Sequence, residues 1–480
     1  MESWFERQFG DAFNKKTISA LADMYLRYGR LMNNRRPEHM SAAVYSITEG
    51  YEAERILREA DEIEEICQNA EEICPEEYRD SFKELVSYKV HAGMNNIRMW
   101  IFSAYNHGFA RLGLLQACTY ADMVRECLKE DVRLKDDLHA AAGGKWFGFG
   151  KAEHIGFRNW NSEESTYPTV EYVIPAEKTD VMVGLVGESG YSCGGEWTGR
   201  RLSMSVYEKE DAHSAVSRFF IATRGTQRSE FSVSCSDEWI SVDKPSGIVN
   251  MADPFLQVKV TIDKDRLEKK SEAYTAKGVI EVKTDCGKVM IDVSTLIYDE
   301  SEKIFIEENG MVVMDAAHYD SLEEGKMGSF KVLEKLGRNE DAIKLFPVDR
   351  SIKDTSDAPV ARYRFKLAEG GEYKIIFVME AVNPFVHGEG IDIDYSVNDS
   401  GIKKLGVVSD TFDAGSSYEW NAGVLDHVRQ PACTAVMEKG INCISFYGTR
   451  VENVLERVIV IRKDKELPGC YLGPRESIGL

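Results

Sequence analysis

The first 140 residues carry apolar positions at helical spacing. Ile18, Leu21, Met24, Tyr25, Tyr28 and Leu31 form one stripe, and Ala53, Ile56, Leu57, Ala60, Ile63, Ile66, Ala70 and Ile73 form a second. The second stripe predicts a helix that stops at Cys74-Pro75, because proline restricts the residue before it and has no N–H to donate. Pro75 also suits the first turn of a following helix, with Glu76 and Glu77 near its positive end. That helix carries Tyr78, Phe82, Leu85, Val86 and Val90, and a further one carries Leu112, Leu115, Met123, Val124 and Leu128. Short loops between long amphipathic helices imply antiparallel neighbours, so residues 1–145 read as a helical bundle.

Gly143-Gly144 marks a change of style. Residues 146–170 are rich in glycine, aromatic and polar residues without a period, and read as a joint. Beyond them the period becomes two. Phe231 to Ser236 and Glu238 to Val242 read as strands around a polar turn, and Lys244-Pro245-Ser246-Gly247 is a turn signal. The run from Gly278 and the run from Lys288 form a hairpin across Asp285-Cys286-Gly287. This spacing predicts an immunoglobulin-like sandwich over 171–300. After the charged stretch Tyr298 to Lys303, alternation returns at Ala361–Leu367, Tyr373–Met379 and Ile391–Val397, so 303–480 reads as a jelly-roll-like sandwich. The expected fold class is α+β multidomain, with an N-terminal α-helical bundle followed by two β-sandwich domains.

Composition narrows the function. A chain of 480 residues exceeds one core and implies about two to four domains. A net charge of -21 argues against nucleic acid and against anionic membranes, since both need a basic footprint. The start, MESWFERQFGDAF, has no basic segment leading into an apolar core, which points to a cytoplasmic chain unless it is a piece of an exported protein. The ten cysteines contain no CxxC pair, so free thiols are expected rather than a disulfide frame or a zinc site. His318, His387 and His427 would suit zinc only if they converged, and nothing in their spacing brings them together. No phosphate loop, GxSxG or Cys–His dyad is visible, and no cofactor or metal is expected. Asp392 and Asp394 share one strand face and are expected on a solvent-facing edge.

Several short stretches occur in a recognisable order. They are Asn33 to Glu38 (NNRRPE) with Tyr45-Ser46-Ile47 and Glu52-Ala53-Glu54-Arg55; Gly143-Gly144-Lys145-Trp146 with His154 to Phe157 and Trp160; Trp239-Ile240-Ser241 and Thr261 to Asp263; and Asn383-Pro384-Phe385, Tyr395 to Asp399, Trp420 and Tyr471 to Ser477 (YLGPRES). Together they resemble family 115 glycoside hydrolases, the xylan α-1,2-glucuronidase family, across nearly the whole chain. Departures exist: Asn34 stands for a glycine, and Asp315 to Tyr319 (DAAHY) replaces a glutamate-bearing stretch.

The resemblance implies a hydrolase that removes 4-O-methyl-glucuronic acid from xylan by means of a (β/α)8 barrel preceding the helical bundle. The sequence shows no alternating strand–helix repeat of the kind a barrel needs. None of its 80 acidic residues stands in a recognisable catalytic pair. The chain is therefore expected to be the accessory C-terminal region of such an enzyme, with no catalytic residues of its own. Its implied partners are a catalytic barrel on a separate chain and an acidic xylan oligosaccharide, and sandwich edges leave room for a homodimer. A free-standing carbohydrate-binding or structural protein is the alternative, and a complete hydrolase with a rebuilt site is a third reading. The substrate-proximal candidates are Lys145, Trp146, His154 and Trp160, where tryptophan faces would meet a sugar and the cation a uronate; the plainer reading is an aromatic plug between bundle and sandwich. Arg35, Arg36 and Glu38 are candidates of the same kind, against an interdomain salt-bridge network.

Overall fold

The computed structural model describes residues 1–149, 155, 167–193, 201–206, 217–267, 273–298, 303–398, 400–477 and 479. The chain divides into two compact units. The first comprises Met1–Met32, Arg36–Tyr298 and Gly469–Gly473; the second comprises Asn33–Arg35, Asp299–Pro468 and Pro474–Leu480. The architecture is α+β, with a helical region followed by β-sandwich sheets.

The first unit opens with α1 (Glu2–Phe9), whose Phe5 and Phe9 are fully buried one turn apart. α2 (Lys15–Asn34) starts at Asn14, whose Oδ1 accepts from Thr17 N at 3.0 Å in the usual capping geometry. α3 (Glu52–Ile73) stops where the Cys74-Pro75 step requires, with Cys74 extended. Pro75 sits one position earlier than the sequence suggested, as the cap of α4 (Glu76–Phe82) rather than in its first turn. α4 runs through a π-helical turn at Lys83–Ser87 into α5 (Tyr88–Arg111). α6 (Gln116–Gly144) then packs along α5. Leu112 and Leu115, read from sequence as helical, lie in the turn before α6, where Gly113 takes a positive φ. Aromatic contacts tie the helices together, including Phe9 edge-on to Phe82 at 5.4 Å. Among the described residues no helix is long and apolar enough to cross a membrane.

Two five-stranded sheets complete this unit. One runs in the order Tyr191–Ser192, Val181–Leu185, Arg218–Thr223, Phe255–Ile262, Ile240–Val242. The other runs Leu202–Ser205, Gly287–Ile297, Tyr274–Thr284, Ser229–Cys235, Ser246–Val249. The expected hairpin is present: Tyr274–Thr284 pairs with Gly287–Ile297 residue by residue. Alternate residues such as Ile280, Val282, Val289 and Ile291 fill the core, as a half-buried strand requires.

The second unit has a six-stranded and a seven-stranded sheet. The longer strands of the first are Val360–Leu367, Gly440–Tyr447 and Ile391–Val397; those of the second are Val454–Arg462 and Gly371–Glu380. Tyr363, Tyr373, Phe365, Phe377 and Phe446 make its core. The expectation that Asp392 and Asp394 face solvent fails for Asp394. Its strand is paired on both sides, by Lys403–Val408 and by Gly440–Tyr447, and Asp394 is buried. Burial is tolerated because Thr449 Oγ1 donates to Asp394 Oδ2 at 2.6 Å and Lys404 lies 3.1 Å away.

Candidate functional site

In the first unit a cavity of about 190 Å³ is lined by α3, α5, α6 and the sheet that contains Arg218–Thr223. α5 places Tyr105 and Phe109 one turn apart on one face, with rings stacked 5.7 Å apart. Tyr120, from α6, stacks on Tyr105 at 4.8 Å. On the sheet, alternation puts Arg218, Phe220, Phe255 and Gln257 on a common face, since Phe220 pairs with Gln257 and Ala222 with Phe255. Phe220 and Phe255 stack at 4.9 Å, and Phe109 meets both edge-on. Ring faces therefore form part of the walls, beside aliphatic side chains such as Leu57, Leu185 and Val186. Thr48, Tyr191 and Gln257 are exposed lining residues, so the cavity opens to solvent.

Two acidic residues, Glu54 and Glu188, line this largely apolar space. Glu54 Oε1 accepts a hydrogen bond from the Tyr105 hydroxyl. Its Oε2 is shut off from solvent and has no hydrogen-bond partner. Gly187, at φ +68, closes over it: a Cβ there would stand 2.4 Å from the Tyr51 ring and 3.0 Å from Oε2. Burial pushes the Glu54 carboxyl up, against the Tyr105 hydrogen bond and the charges of Arg218 and Arg55. Burial and the Glu54 charge together push the Tyr105 and Tyr120 phenols up as well, so Tyr105 remains a donor. Arg218 also lines the cavity, half-buried. A buried acceptor left unpaired costs about 1–3 kcal/mol. An apolar cavity with few polar groups and a perturbed acid is the ordinary description of a small-molecule site.

The neighbouring Glu52 has opposite surroundings. It accepts from Ser46 N at 2.7 Å, from Tyr471 N at 3.0 Å and from Leu472 N. Those three donors make it an anchor for the chain around it.

The second unit holds a denser charged cluster. Arg457 pairs with Asp315, both almost fully buried, and also donates to Pro474 O. Glu476 accepts from Asp315 N at 2.8 Å and contacts His318 Nδ1 at 2.9 Å. The Glu476 hydrogen bond pushes His318 up to about 9. Asp315, His318 and Glu476 bring donor atoms within 4.8 Å of one another, and the group includes neither His387 nor His427. Asp315 Oδ1, His318 Nδ1 and both Glu476 carboxyl oxygens take part in these ion pairs and hydrogen bonds. On the strand Val454–Arg462, Glu456 Oε2 accepts from Arg338 N, in the bend before Ala342–Phe346, at 2.7 Å.

The residues singled out from sequence fall in several places. Lys145 is exposed at the end of α6, its Nζ 4.4 Å from the Trp146 ring centre, and Trp146 meets Phe149 edge-on at 5.4 Å. His154 and Trp160 lie outside the described residues. Arg35, in the second unit, donates to Leu425 O at 2.6 Å and lies 3.8 Å from Asp426. Asn34, the departure from glycine, is buried there and donates to Arg338 O at 2.9 Å. Arg36 is exposed and caps the single 3-10 turn Pro37–His39, which carries half-buried Glu38 in the first unit. Lys145, Trp146, Arg35, Arg36 and Glu38 do not line the cavity. Glu54 stands inside the stretch Glu52–Arg55, and the i, i+4 aromatic pair Tyr105 and Phe109 was the remaining visible signal.

The comparisons with known proteins agree with this architecture. The chain carries a glycoside-hydrolase-associated accessory domain. Residues 304–476 match the glycosyl hydrolase family 115 C-terminal domain. A solved family GH115 4-O-methyl-α-glucuronidase, BtGH115A, with specificity for decorated arabinogalactans, is similar in fold over 96% of this chain at a TM-score of 0.50 and 11% identity. This chain covers 41% of that enzyme's length. A family 35 carbohydrate-binding module from Clostridium thermocellum is similar over 32% of this chain and 98% of its own, at 11% identity and a TM-score of 0.23. No curated protein matches the sequence.

Proposed function

We propose that this chain is the accessory C-terminal region of a family 115 glycoside hydrolase that acts on glucuronic acid side chains of xylan, and that it does not hydrolyse them alone. The match of residues 304–476 to the family's C-terminal domain carries the reading. The strand pairing supports it. Among the described residues the ladders are antiparallel except for two short parallel pairs, Leu202–Ser205 with Gly287–Ile297 and Phe305–Ile306 with Val360–Leu367. A (β/α)8 barrel needs eight parallel strands. Bond cleavage then falls to a barrel outside these 480 residues. The alternative, a free-standing carbohydrate-binding protein, is favoured by the cavity beside Glu54, which gives the chain a ligand-sized space of its own.

The test is incubation of the purified chain with glucuronoxylan, together with gel retardation in the same polymer and in unsubstituted xylan. The expected result is no released uronic acid and retardation by glucuronoxylan. Release of glucuronic acid would overturn the accessory role, and equal migration in all gels would overturn a role on this polymer.

A further inference from the structure

Glu54 keeps one carboxyl oxygen buried and unpartnered beside an open cavity. Two further charged residues line the cavity: Glu188, which already has a partner, and Arg218, whose guanidinium makes no hydrogen bond or ion pair among the described residues. The rest of the lining is largely apolar, with ring surface from Tyr105, Phe109, Phe220 and Phe255 beside aliphatic side chains such as Leu57 and Leu185. These features specify a ligand. A cavity of about 150 Å³ lined by apolar side chains is known to take benzene, so about 190 Å³ accommodates a six-membered ring with substituents. Flat aromatic walls accept the face of such a ring, whether aromatic or the C–H face of a sugar. A guanidinium fork at one side matches a carboxylate, which it binds through two parallel hydrogen bonds. The Glu54 carboxyl suits a hydroxyl, which serves it in either protonation state.

We propose that this cavity binds a six-membered ring carrying one carboxylate and at least one hydroxyl, with the carboxylate on Arg218, the hydroxyl on Glu54 and the ring between the aromatic walls. Two sources share this chemistry, a uronic acid sugar and a hydroxylated aromatic acid. Choosing the uronic acid rests on the function proposed above; the ring-carboxylate site itself does not.

The experiment is calorimetric titration of the full chain with glucuronic acid, 4-hydroxybenzoate, glucose and phenol. The expected result is one-to-one binding of at least one of the two acids, at least tenfold tighter than its counterpart lacking the carboxylate. Arg218→Gln and Glu54→Gln are each expected to weaken that acid tenfold or more. Gln257→Glu, an exposed change at the opening, adds a repelling charge without touching the core, and is expected to weaken it too. Circular dichroism melts of the variants check folding. Binding of 4-hydroxybenzoate alone would keep the site and remove the uronate assignment, while the xylan assays judge the family role separately. Four flat titrations would overturn the proposal. So would acid binding that survives all three substitutions in folded protein.

Discussion

Glu54 in the first unit and Glu456 in the second are both acids held away from water, each with one carboxyl oxygen that has no hydrogen-bond partner, and their surroundings differ. Glu456 sits in Val454–Arg462 among other charges: Arg338 N donates to it, and Arg457 on the next residue is locked to Asp315. Glu54 has one phenol and a cavity walled mainly by aromatic and aliphatic side chains. Where charges meet charges, the physics is that of a scaffold, since removing one partner strands the other. Where an unpartnered polar atom is buried beside a cavity, the proposed partner is a molecule that comes and goes. The same burial thus marks architecture in one unit and a candidate site in the other.

The sharpest way to break this comparison is Arg457→Met. It leaves Asp315 buried without its cation, and the expected loss is about 3–5 kcal/mol. Urea denaturation followed by intrinsic fluorescence should show the fall in midpoint. The double variant Asp315→Asn/Arg457→Met should recover part of it, because no charge is then stranded. A neutral single variant would mean that the cluster is not a scaffold.

Next in size is a pH effect in the same unit. Burial, with the Glu456 charge, pushes Glu380 up to about 8; burial pushes Glu456 up to about 7 against Arg338 and Arg457. Both folded values lie above the unfolded glutamate value of about 4.3. The folded state therefore holds these protons more tightly than the unfolded state does. The resulting stability is complete below about pH 4 and is lost as pH rises through 7 to 8. Melting temperature should fall from pH 5 to pH 8.5 more steeply in the wild type than in Glu456→Gln, which still accepts from Arg338 N. Parallel pH profiles would show that the pair is not the source.

Much of the fold was legible before any coordinates, and its failures are instructive. α2 and α3 each bury a single stripe, so periodicity revealed them. α5 is buried around most of its girth, including Asn95, Ser103 and Asn106, so it shows no stripe. Its buried asparagines are satisfied by other segments, as where Asn106 donates to Ala117 O and Glu171 O at 2.8 Å. Asp394 misled for a related reason: alternation gives the face of a strand but not what covers it. The cavity was invisible because Glu54, Tyr105 and Arg218 are far apart in sequence and meet only when helices pack on the sheet.

A smaller effect tests the first unit directly. Tyr105→Phe removes the donor to Glu54 while keeping the ring that stacks on Tyr120. The expected destabilisation is about 1 kcal/mol, the ordinary value of one hydrogen bond. If the loss instead approaches that of Arg457→Met, Glu54 belongs to the scaffold after all.

The smallest expected effect concerns the segment that sequence alone would have chosen. Lys145 lies over the Trp146 ring, but Lys145 is exposed and Trp146 is only half-buried. An exposed cation–π pair is worth about 0.5–1 kcal/mol. Lys145→Ala should therefore shift a urea midpoint barely beyond error, and should leave titration with the ring carboxylates unchanged, because neither Lys145 nor Trp146 lines the cavity. Weakened acid binding in Lys145→Ala would move the site from the Glu54 cavity toward the end of α6, and would return the aromatic joint to first place.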